Sequence, residues 1–402
     1  MSKIEINNFG PVKNGRIDIK KVTVFVGNQG SGKSTAAKLI STFTWIEKAL
    51  VRGDYDKKWF ERKGINRFRS QFLPYHRLDA YLNPDSVIEY QGDAYSITYK
   101  NEHLTVAEIS NETCPLPQIM YVPAERNFLT YIKGAKELKL SSESLQEFNT
   151  EYYNAQQNMK GAVKLPVNNA VIEYDRLNDT LNLKGENYKV KITDASSGFQ
   201  SFVPLYLVSN YLADFVKSYS ENKESMSSEE KIRFQKRVQE IWDNNSFTDE
   251  QKRLALSALS SKFNKTAFIN IVEEPEQNLF PSSQWQMLQS LLEFNNMSSG
   301  NRLILTTHSP YMINYLTLLI KAEQLNSKIK TDTLRQELSD IVSLNSIVNS
   351  DDLSIYELDE TAGTVHALET YNGLPSDENK LNEKLDEGNE LFARLLEIQK
   401  RL

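Results

Sequence analysis

The chain alternates between short apolar runs and longer segments in which apolar residues recur at helical spacing. Residues 22–26 are all β-branched or aromatic, which is typical of a strand buried on both faces. Residues 35–50 contain no Gly or Pro and carry Leu39, Phe43 and Ile46 on one helix face. Further apolar runs of strand length begin at residues 118, 269 and 303. Strands that alternate with helices predict an α/β fold with a mixed central sheet flanked by helices.

Other parts of the chain show different patterns. Residues 86–90 and 95–99 are strand-like runs on either side of a glycine turn, and 171–192 forms a second β segment, so an antiparallel β subdomain is expected. Residues 219–264 are rich in Ser, Glu and Lys and predict a helical insertion. Residues 378–402 predict an amphipathic closing helix, for which docking on the core is favoured over binding a partner.

The segment between the first buried strand and its helix has the pattern G-x-x-x-x-G-K-S of a phosphate-binding P-loop. Glycines let backbone N–H groups curl around phosphate oxygens, and the helix N-terminus adds positive potential. Lys33 can reach the terminal phosphates of a nucleotide, and the Ser34 hydroxyl can hold Mg²⁺. The predicted nucleotide-binding residues are Gly27, Asn28, Gln29, Gly30, Ser31, Gly32, Lys33, Ser34 and Thr35. The strand and helix on either side make a chance match the weaker explanation.

An apolar strand at residues 269–272 ends in two acids, Glu273 and Glu274. After a P-loop, this is where an acidic Walker B strand belongs. The first acid would hold Mg²⁺ through water, and the second would polarise the attacking water. Hydrolysis needs both roles, because a hydroxide-like nucleophile must form beside an anionic phosphate. The alternative is a strand that ends in a solvated acidic turn.

A further apolar strand at residues 303–307 is followed by His308. In α/β sheets, ligands gather at the carboxyl ends of the strands. His308 is therefore predicted to contact a γ-phosphate, and a structural, hydrogen-bonded histidine is the alternative.

Small polar residues precede a long apolar helix that is predicted to begin at Pro204. A Ser-Ser-Gly sequence at a helix N-terminus is a ready anion site, although in isolation it would be an ordinary helix cap. The candidate residues are Ser196, Ser197, Gly198 and Gln200.

Composition excludes several classes of protein. The chain has 402 residues, of which 40% are hydrophobic and 25% charged, so a packed globular core is expected. No run approaches the roughly 20 apolar residues needed to cross a bilayer, and the first residues lack the apolar stretch of a secretory signal. Cys114 is the only cysteine, so neither a disulfide framework nor a cysteine metal cluster is expected. A cytoplasmic protein is the resulting prediction.

Charge leaves the question of a nucleic-acid partner open. The net charge of −6 argues against a generally basic nucleic-acid wrapper. Residues 48–69, however, hold eight basic residues against three acids, with Tyr55, Trp59, Phe60 and Phe68 interleaved. Basic residues with aromatics favour a surface for nucleic acid or an acidic partner. The alternative, weighed slightly higher, is a solvated helical insert whose aromatics simply pack.

In this order, the motifs P-loop, S-S-G-x-Q, h-E-E-P-E and T-H-S-P resemble an ABC-type ATPase head. The group they resemble most is the RecF/SMC/OLD-like soluble branch, as a bacterial AAA-family ATPase without a TOPRIM nuclease domain. The resemblance covers most of residues 1–325, with a basic and aromatic insert at about 48–85 and the helical insertion at about 219–264. A C-terminal strand pair and the closing helix would follow at 326–402.

The resemblance implies an ATPase that uses ATP and Mg²⁺ and sandwiches two ATP molecules in a homodimer. Ser197, Gly198 and Gln200 would close on the γ-phosphate of the opposite subunit. The residues implied to act in cis are Lys33, Ser34, Glu273, Glu274 and His308. The first Walker B acid of this family is usually Asp, so with Glu273 the coordination is expected to differ by one methylene.

Three details of the resemblance stay open. Gln118 is a weak candidate for the Q-loop glutamine. Arg126 could contact phosphate or a partner, with a structural salt bridge as the equal alternative. The loop after Walker B reads N-L-F-P at residues 278–281, and Phe280 stands where the branch often has histidine.

Several biological roles are compatible with these motifs. The first is an ATP-driven switch that acts with DNA in repair or anti-phage defence. The second is a regulatory ATPase that gates a separate nuclease or toxin and does not contact DNA. A transporter subunit is disfavoured. No Asp-x-Asp pair follows His308, so no nuclease activity is expected of this chain.

Overall fold

The computed structural model describes residues 2–400 except 56, 62–65, 111–115, 132–139, 141, 222–227, 245, 248–250, 253–254 and 256–265. Cys114 and much of the predicted insertion at 219–264 lie outside the described residues. A helix at 228–243 is described within that insertion.

The strands follow one another along most of the chain. They are β1 (Ser2–Phe9), β2 (Val12–Ile19), β3 (Val22–Gly27), β4 (Leu82–Gln91), β5 (Tyr95–Lys100), β6 (His103–Glu108), β7 (Pro117–Val122), β8 (Val163–Lys164), β9 (Val171–Asp175), β10 (Thr180–Lys184), β11 (Lys189–Lys191), β12 (Ala267–Glu273), β13 (Arg302–Thr307), β14 (Leu353–Leu358), β15 (Thr364–Ala367), β16 (Thr370–Tyr371) and β17 (Leu374–Pro375).

Helices connect the strands. They are α1 (Lys33–Arg52), α2 (Lys57–Phe60), α3 (Glu143–Gln157), α4 (Ser197–Glu221), α5 (Ser228–Asp243), α6 (Pro281–Asn296), α7 (Pro310–Asn326), α8 (Asp332–Ile341) and α9 (Lys380–Gln399). Short helical turns lie at Phe68–Phe72, Pro74–His76, Asp79–Tyr81, Ala124–Thr130, Ile192–Asp194 and Ser350–Asp352. Within the described ranges, no helix combines the length and the apolar character needed to span a membrane.

The central feature is a mixed sheet of eleven strands in the order β6-β5-β4-β1-β2-β15-β14-β3-β13-β12-β7. Strands β14, β3, β13, β12 and β7 pair in parallel, whereas β6, β5, β4, β1 and β2 pair in antiparallel fashion. The prediction of an α/β fold with a mixed central sheet is therefore confirmed. The predicted antiparallel strands are present as well, but β4–β6 extend the central sheet through β1. Strands β8–β11 form a separate four-stranded sheet.

Alternate side chains of β3 enter two hydrophobic cores on opposite faces of the sheet. Val22, Val24 and Val26 join the core that contains α4, α6 and α7. Phe25 joins the core that contains α1 and the antiparallel strands. All six residues of β3 are buried because both faces are covered. Each large apolar side chain buried in this way contributes about 1.5–3 kcal/mol to the free energy of folding. The burial of β3 therefore stabilises the position of the loop that follows it.

Helix α4 begins earlier than predicted. The sequence pattern places its start at Pro204, but the helix starts at Ser197 and contains Pro204. Proline lacks an N–H group and normally interrupts a helix interior. Here the adjacent Phe202, Val203 and Leu205 are at most 1% exposed. Tertiary packing of these side chains therefore outweighs the local preference of proline.

The strand pair predicted after residue 325 lies in the middle of the large sheet. β14 pairs in parallel with β3 in a register that runs from Leu353↔Val22 to Leu358↔Gly27. β15 pairs with β14 and with β2. The segment after residue 325 thus lies directly beside the P-loop strand.

The predicted closing helix forms as α9, but its apolar face is not docked on the core. Leu381 packs against the core at the start of the helix, and every residue from 386 to 400 is exposed. The large apolar side chains of this exposed part are Leu391, Phe392, Leu395, Leu396 and Ile398, between 41% and 62% exposed. The favoured prediction of docking is therefore wrong for this part of the helix, because within the described part of the chain only its start, at Leu381, packs against the core.

The aromatic residues between positions 48 and 69 pack rather than line a surface. Tyr55, Phe60 and Phe68 are 7%, 4% and 2% exposed and belong to the core around α1. The guanidinium of Arg67 lies 4.2 Å from the centroid of the Trp59 ring. The packing alternative thus accounts for the aromatics of this segment, while residues 62–65 lie outside the described part.

Candidate active site

The P-loop lies at the carboxyl edge of the sheet, where β3 ends. The chain leaves β3 at Gly27 and enters α1 at Lys33. A Cβ atom on Gly27 would lie 2.5 Å from the carbonyl oxygen of Leu358, and one on Gly32 would lie 2.7 Å from Cγ2 of Val12. Gly32 also has a φ of +102°, which residues with side chains rarely adopt. These two glycines allow the loop to lie tightly against β2 and the end of β14.

The tip of the loop is open. Gln29 and Gly30 are exposed, and a Cβ atom on Gly30 would meet no atom within 4 Å. Ser31 and Thr35 are 2% and 6% exposed, and Ser34 is half-buried in the first turn of α1. The hydroxyl of Ser31 is buried without a hydrogen-bond partner in the described part of the chain. The space and donors fit an anion above the loop.

Lys33 folds back over the loop. Its Nζ donates hydrogen bonds of 2.8 Å to the carbonyl oxygens of Gly27 and Asn28, and the residue is 5% exposed. Burial lowers the pKa of Lys33 to about 8, although nearby glutamates act in the opposite direction. Phosphate oxygens in place of the two carbonyls would form stronger, charge-assisted hydrogen bonds with the same ammonium group.

Parallel pairing brings the other candidate residues to the same edge. β13 pairs in parallel with β3 on one side and with β12 on the other. Thr306 is in register with Phe25 and with Glu273. The ends of the three strands therefore meet beside the P-loop, as expected for a ligand site of an α/β sheet.

Glu273 is the buried acid of the pair. It is 4% exposed, and its Oε2 accepts a hydrogen bond of 3.2 Å from the backbone N–H of Ala124. Its Oε1 lies 3.7 Å from Nζ of Lys38 and has no hydrogen bond within the described ranges. A buried carboxylate oxygen in this condition fits a cation or a cation-bound water.

Glu274 has a strained backbone. Its φ is +44°, in the left-handed region, which costs on the order of 1–3 kcal/mol for a non-glycine residue. Its N–H donates to the carbonyl oxygen of Thr306 at 2.9 Å. Burial raises the pKa of Glu274, and Glu273 raises it further, whereas Arg126 and Lys33 lower it. A carboxylate with a raised pKa is suited to general-base work near neutral pH.

His308 faces Glu274 from the adjacent strand. Its Nε2 lies 3.7 Å from Oε1 of Glu274. Burial and the charge of Lys33 lower the pKa of His308, while a hydrogen bond with the Gly27 backbone raises it. The net effect keeps the imidazole neutral at pH 7. His308 thus lies beside both Glu274 and the P-loop residue Gly27, and its contact with a γ-phosphate stays a prediction.

Glu276 supports His308 and was not assigned a role from the sequence. Its Oε1 accepts a hydrogen bond of 2.7 Å from the backbone N–H of His308. Burial raises the pKa of Glu276, and that hydrogen bond acts in the opposite direction. The only signal in the sequence was a third acid close to the pair in E-E-P-E.

The Ser-Ser-Gly segment lies at the start of α4. Ser196 and Ser197 are exposed. A Cβ atom on Gly198 would lie 3.0 Å from the carbonyl oxygen of Asn278, so this glycine packs on the loop after β12. Asn278 also donates a hydrogen bond of 3.0 Å from Nδ2 to the hydroxyl of Ser201. The start of α4 is therefore fixed to the loop after β12, while Ser196 and Ser197 are exposed.

Gln200 does not share this exposed position. It is 2% exposed, and its Nε2 donates to the carbonyl oxygens of Ile192 and Thr193 at 3.3 and 2.9 Å. The expectation that Gln200 contacts an opposite nucleotide does not fit this geometry. Its side chain faces inward because helix α4 begins at Ser197 and turns position 200 toward the protein.

The structure also places the two open candidates near β7. Gln118 is the second residue of β7, in register with Phe268 near the amino end of β12, so it lies away from the carboxyl edge. Arg126 is fully buried, and its guanidinium donates hydrogen bonds to backbone carbonyl oxygens, among them those of Glu273 and Glu274. Its hydrogen bonds therefore follow neither the phosphate nor the salt-bridge expectation.

A residue far along the chain also reaches the P-loop. The side-chain amide of Asn28 donates a hydrogen bond to Oε1 of Glu360. Glu360 lies in the turn between β14 and β15, directly after the strand that pairs with β3. No local sequence pattern connects these two residues, since the contact depends on the long-range pairing of β14.

A P-loop on β3, an acid pair after β12 and a histidine after β13 define a P-loop nucleotide-binding protein of the α/β class. Residues 1–70 and 107–313 match the family described as AAA ATPase domain. Because the match covers more than half of the 402 residues, the chain belongs to the AAA ATPase domain family. The prediction of an ATPase head from the motif order is thereby confirmed. No curated protein matches the chain.

The chain is similar to solved structures of ATPase heads and cassettes at low identity. An SMC head domain from Thermotoga maritima is 12% identical, with 92% of this chain and 98% of that chain covered and a TM-score of 0.35. The recombination mediator protein RecF is 12% identical, with coverages of 91% and 97% and a TM-score of 0.32. An ATP-binding cassette of an ABC transporter in its ADP conformation is 12% identical, with coverages of 93% and 93% and a TM-score of 0.33.

Proposed function

We propose that this protein binds and hydrolyses ATP and works as a switch that dimerises head to head around ATP. The observation that carries the proposal is the convergence of Lys33, Glu274 and His308 at one edge of the sheet. Lys33 supplies the cation for the terminal phosphates, and Glu274 supplies a base beside them. Membership of the AAA ATPase domain family supports ATP as the nucleotide.

The residues present fit a Mg²⁺ ion bound together with the nucleotide. Oε1 of Glu273, which has no hydrogen bond in the described part of the chain, and the hydroxyl of Ser34 are the protein groups that would hold it. Among the described residues, no group of three or more His, Cys, Asp or Glu side chains could hold a metal ion without further ligands. Phosphate oxygens and water would complete the shell, as is usual for Mg²⁺. When bound, the ion neutralises charge on the β- and γ-phosphates.

Hydrolysis would proceed by attack of a water oriented by Glu274. The raised pKa of Glu274 makes its carboxylate an effective proton acceptor. The lowered pKa of His308 leaves a neutral ring with a single N–H donor, which would exchange its hydrogen bond with the Gly27 backbone for one to a γ-phosphate oxygen. Lys33 would exchange its bonds to the Gly27 and Asn28 carbonyls for bonds to the β- and γ-phosphates.

Dimerisation is supported by the position of the Ser-Ser-Gly segment. Ser197 is exposed at the first position of α4, and Gly198 contacts the loop after β12. The P-loop of the same subunit, in contrast to the Ser-Ser-Gly segment, lies against the turn after β14. An exposed helix N-terminus can bind an anion through its free N–H groups. We therefore propose that this one closes on the γ-phosphate held by a second copy.

The test uses Glu274→Gln, which keeps the shape of the side chain and removes the base. Turnover should fall roughly 10²–10⁴-fold, while ATP still binds. The mass measured by size exclusion with light scattering should double with ATP and not with ADP. Glu108→Gln, at a surface ion pair with Lys57, is the matched control and should behave like the parent protein.

Two results would count against the proposal in different ways. Parental turnover in Glu274→Gln would show that another residue is the base. A Glu274→Gln protein that binds ATP and stays single at saturating nucleotide would contradict the dimer and leave the ATPase assignment intact.

A role with DNA, in repair or anti-phage defence, is a further proposal. It is supported by the exposed Lys58 and Arg69 in the basic segment, but no longer by the aromatics, which are packed. ATPase activity stimulated by DNA at low salt, and less so as salt rises, is the expected behaviour of phosphate contacts.

The alternative proposal is that the ATPase gates a separate effector protein, such as a nuclease or toxin, without contacting DNA. The acidic net charge of −6 and the packed aromatics favour it. Co-purification of a partner that dissociates on ATP hydrolysis would support gating, and DNA-stimulated turnover of the isolated protein would count against it.

A further inference from the structure

The guanidinium of Arg126 lies at the centre of the site without touching the P-loop. The residue is 0% exposed and is among the largest fully buried side chains. Its Nη1 donates to the carbonyl oxygen of Glu273 at 2.7 Å and to that of Pro123 at 3.3 Å. Its Nη2 donates to the carbonyl oxygen of Glu274 at 2.7 Å, and its Nε donates to that of Ser201 at 3.1 Å. One planar group thus binds three separate segments of the backbone.

Burial of the Arg126 cation costs free energy unless hydrogen bonds compensate for the lost hydration. Burial lowers the pKa of Arg126 to about 10, and four nearby glutamates raise it. The guanidinium therefore stays charged at neutral pH. The planar guanidinium presents its N–H donors in fixed directions that match the separated carbonyls. The single ammonium group of a lysine could not donate to all of them at once.

The first segment held by Arg126 is the backbone of the proposed base. Glu274 has the left-handed φ of +44°, and this conformation directs its carboxylate to within 3.7 Å of His308. The carbonyls immediately before and after its Cα both accept from Arg126, and its N–H donates to Thr306. Removing the guanidinium would leave buried carbonyls unpaired, and the peptide would be free to relax from its strained conformation.

The second segment is the start of α4. Ser201 lies one helical turn after Ser197, is 0% exposed, and also accepts a hydrogen bond from Asn278 through its hydroxyl. Gly198 packs against the carbonyl of the same Asn278. The helix that carries the exposed Ser-Ser-Gly segment is therefore bonded to the same guanidinium that fixes the base.

We propose that Arg126 is a positioning residue that sets the orientation of Glu274 and ties it to the start of α4. The inference rests on the proposed function, in which Glu274 is the base and the Ser-Ser-Gly segment closes on an opposite nucleotide. Arg126 acts on turnover through Glu274 and contributes little to nucleotide binding, because its hydrogen bonds go to backbone outside the P-loop.

The main experiment compares Arg126→Lys with the parent protein. Lysine keeps the charge but cannot bridge Ser201 and the Glu273–Glu274 carbonyls at once. We expect the turnover number to fall at least tenfold, while the Kd for a fluorescent ADP analogue changes less than threefold. Arg302→Lys is the matched control, because Arg302 donates to Ser2 and Asp93 at the other end of β13. Its turnover should stay within twofold of the parent.

A double-mutant cycle separates positioning from a merely structural role. If Arg126 acts through Glu274, adding Arg126→Lys to Glu274→Gln should slow single-turnover hydrolysis less than twofold further. A full additional tenfold loss, or a parallel loss of binding stoichiometry and turnover in Arg126→Lys alone, would overturn the inference. Parental turnover in Arg126→Lys would do the same and leave the ATPase assignment standing.

A second measurement does not depend on Arg126→Lys folding. In the Glu274→Gln protein, which keeps Arg126, addition of ATP should slow amide hydrogen exchange in residues 197–203 and 273–279 together. Protection of one segment without the other would overturn the proposed link. An absence of ATP hydrolysis by the parent protein would refute the proposed function, and this inference with it.

Discussion

Nε2 of His308 lies 3.7 Å from Oε1 of Glu274, although the two residues are separated by a helix and a strand along the chain. The parallel pairing of β12 and β13 creates this proximity. Both side chains border the loop on which Lys33 lies. A base, a neutral hydrogen-bond donor and a cation thus surround one place, which is where the terminal phosphate of a nucleotide would be held.

Replacement of Lys33 by alanine should weaken nucleotide binding. Hydrogen bonds from a charged group contribute about 1.5–3 kcal/mol each, so the Kd for ATP should rise roughly 10–100-fold. The melting temperature should not fall, because burial opposes the charge of Lys33 in the folded protein. Isothermal titration and thermal melts test both points. Lys189→Ala, which breaks a surface ion pair with Glu173, is the control, and equal binding by both variants would contradict the role of Lys33.

Nucleotide affinity should depend on pH through Lys33. Its pKa is about 8 in the free protein, and a bound triphosphate favours the charged form and raises this pKa. Affinity is therefore complete well below pH 8 and is lost as the pH rises from 8 toward the pKa of the complex. The Kd at pH 9 should be roughly tenfold higher than at pH 7.

The control for this pH dependence is Lys33→Arg, whose side chain stays charged over the whole range. Titration of the nucleotide itself is common to both proteins. The profile of Lys33→Arg should be flatter than that of the parent protein. Identical profiles would show that a group other than Lys33 is responsible.

Replacement of Ser197 by arginine should block dimerisation and spare ATP binding by the single subunit. The residue is exposed at the first position of α4, so a long cation there obstructs an approaching phosphate-bearing surface without disturbing the core. In the Glu274→Gln background, light scattering should show a single subunit with ATP, and the Kd should change less than about twofold. Ser327→Arg, directly after α7, serves as control and should still dimerise. A dimer formed by Ser197→Arg would exclude the proposed role of this segment.

Replacement of Phe60 by alanine should act on stability rather than on DNA binding. The ring is 4% exposed and packs among Tyr55, Trp59 and Phe72. Its removal should lower the free energy of unfolding by about 3–5 kcal/mol, measured by urea unfolding. Lys58→Glu, at an exposed position of the same short helix, should leave stability unchanged. A Phe60→Ala protein of normal stability that loses DNA binding would reverse this assignment.

Much of the site was predictable because each part depends on a local pattern. Gly27 ends the buried strand β3 and Lys33 lies shortly after it, while Glu274 and His308 directly follow β12 and β13. A buried parallel strand is recognisable from a short apolar run. Once the strands are parallel neighbours, their carboxyl ends must meet. The predicted residues therefore came together, whereas the inward-facing Gln200 did not join them, because the true start of α4 could not be seen past Pro204.

The supporting residues were not predictable in this way. From the sequence, Arg126 was a candidate with an open role, and Glu276 was assigned no role. The reason is that both residues act through hydrogen bonds to the backbone of other strands. Glu360 reaches Asn28 only because β14 pairs with β3 across more than 300 residues of chain. The exposed apolar face of α9 was likewise misjudged, since amphipathic spacing shows that a helix has an apolar face and not what covers it.

The amino-acid sequence by itself determined the chemistry: which strands are buried, where the glycines permit a phosphate-binding turn, and which acids and which histidine follow those strands. These properties are local, because they depend on residues within a few positions of one another. Only the tertiary structure decided which side chains face the nucleotide edge and which hold it in place. Long-range strand pairing and the packing of α4 set those directions, and neither can be recognised from any short stretch of the sequence.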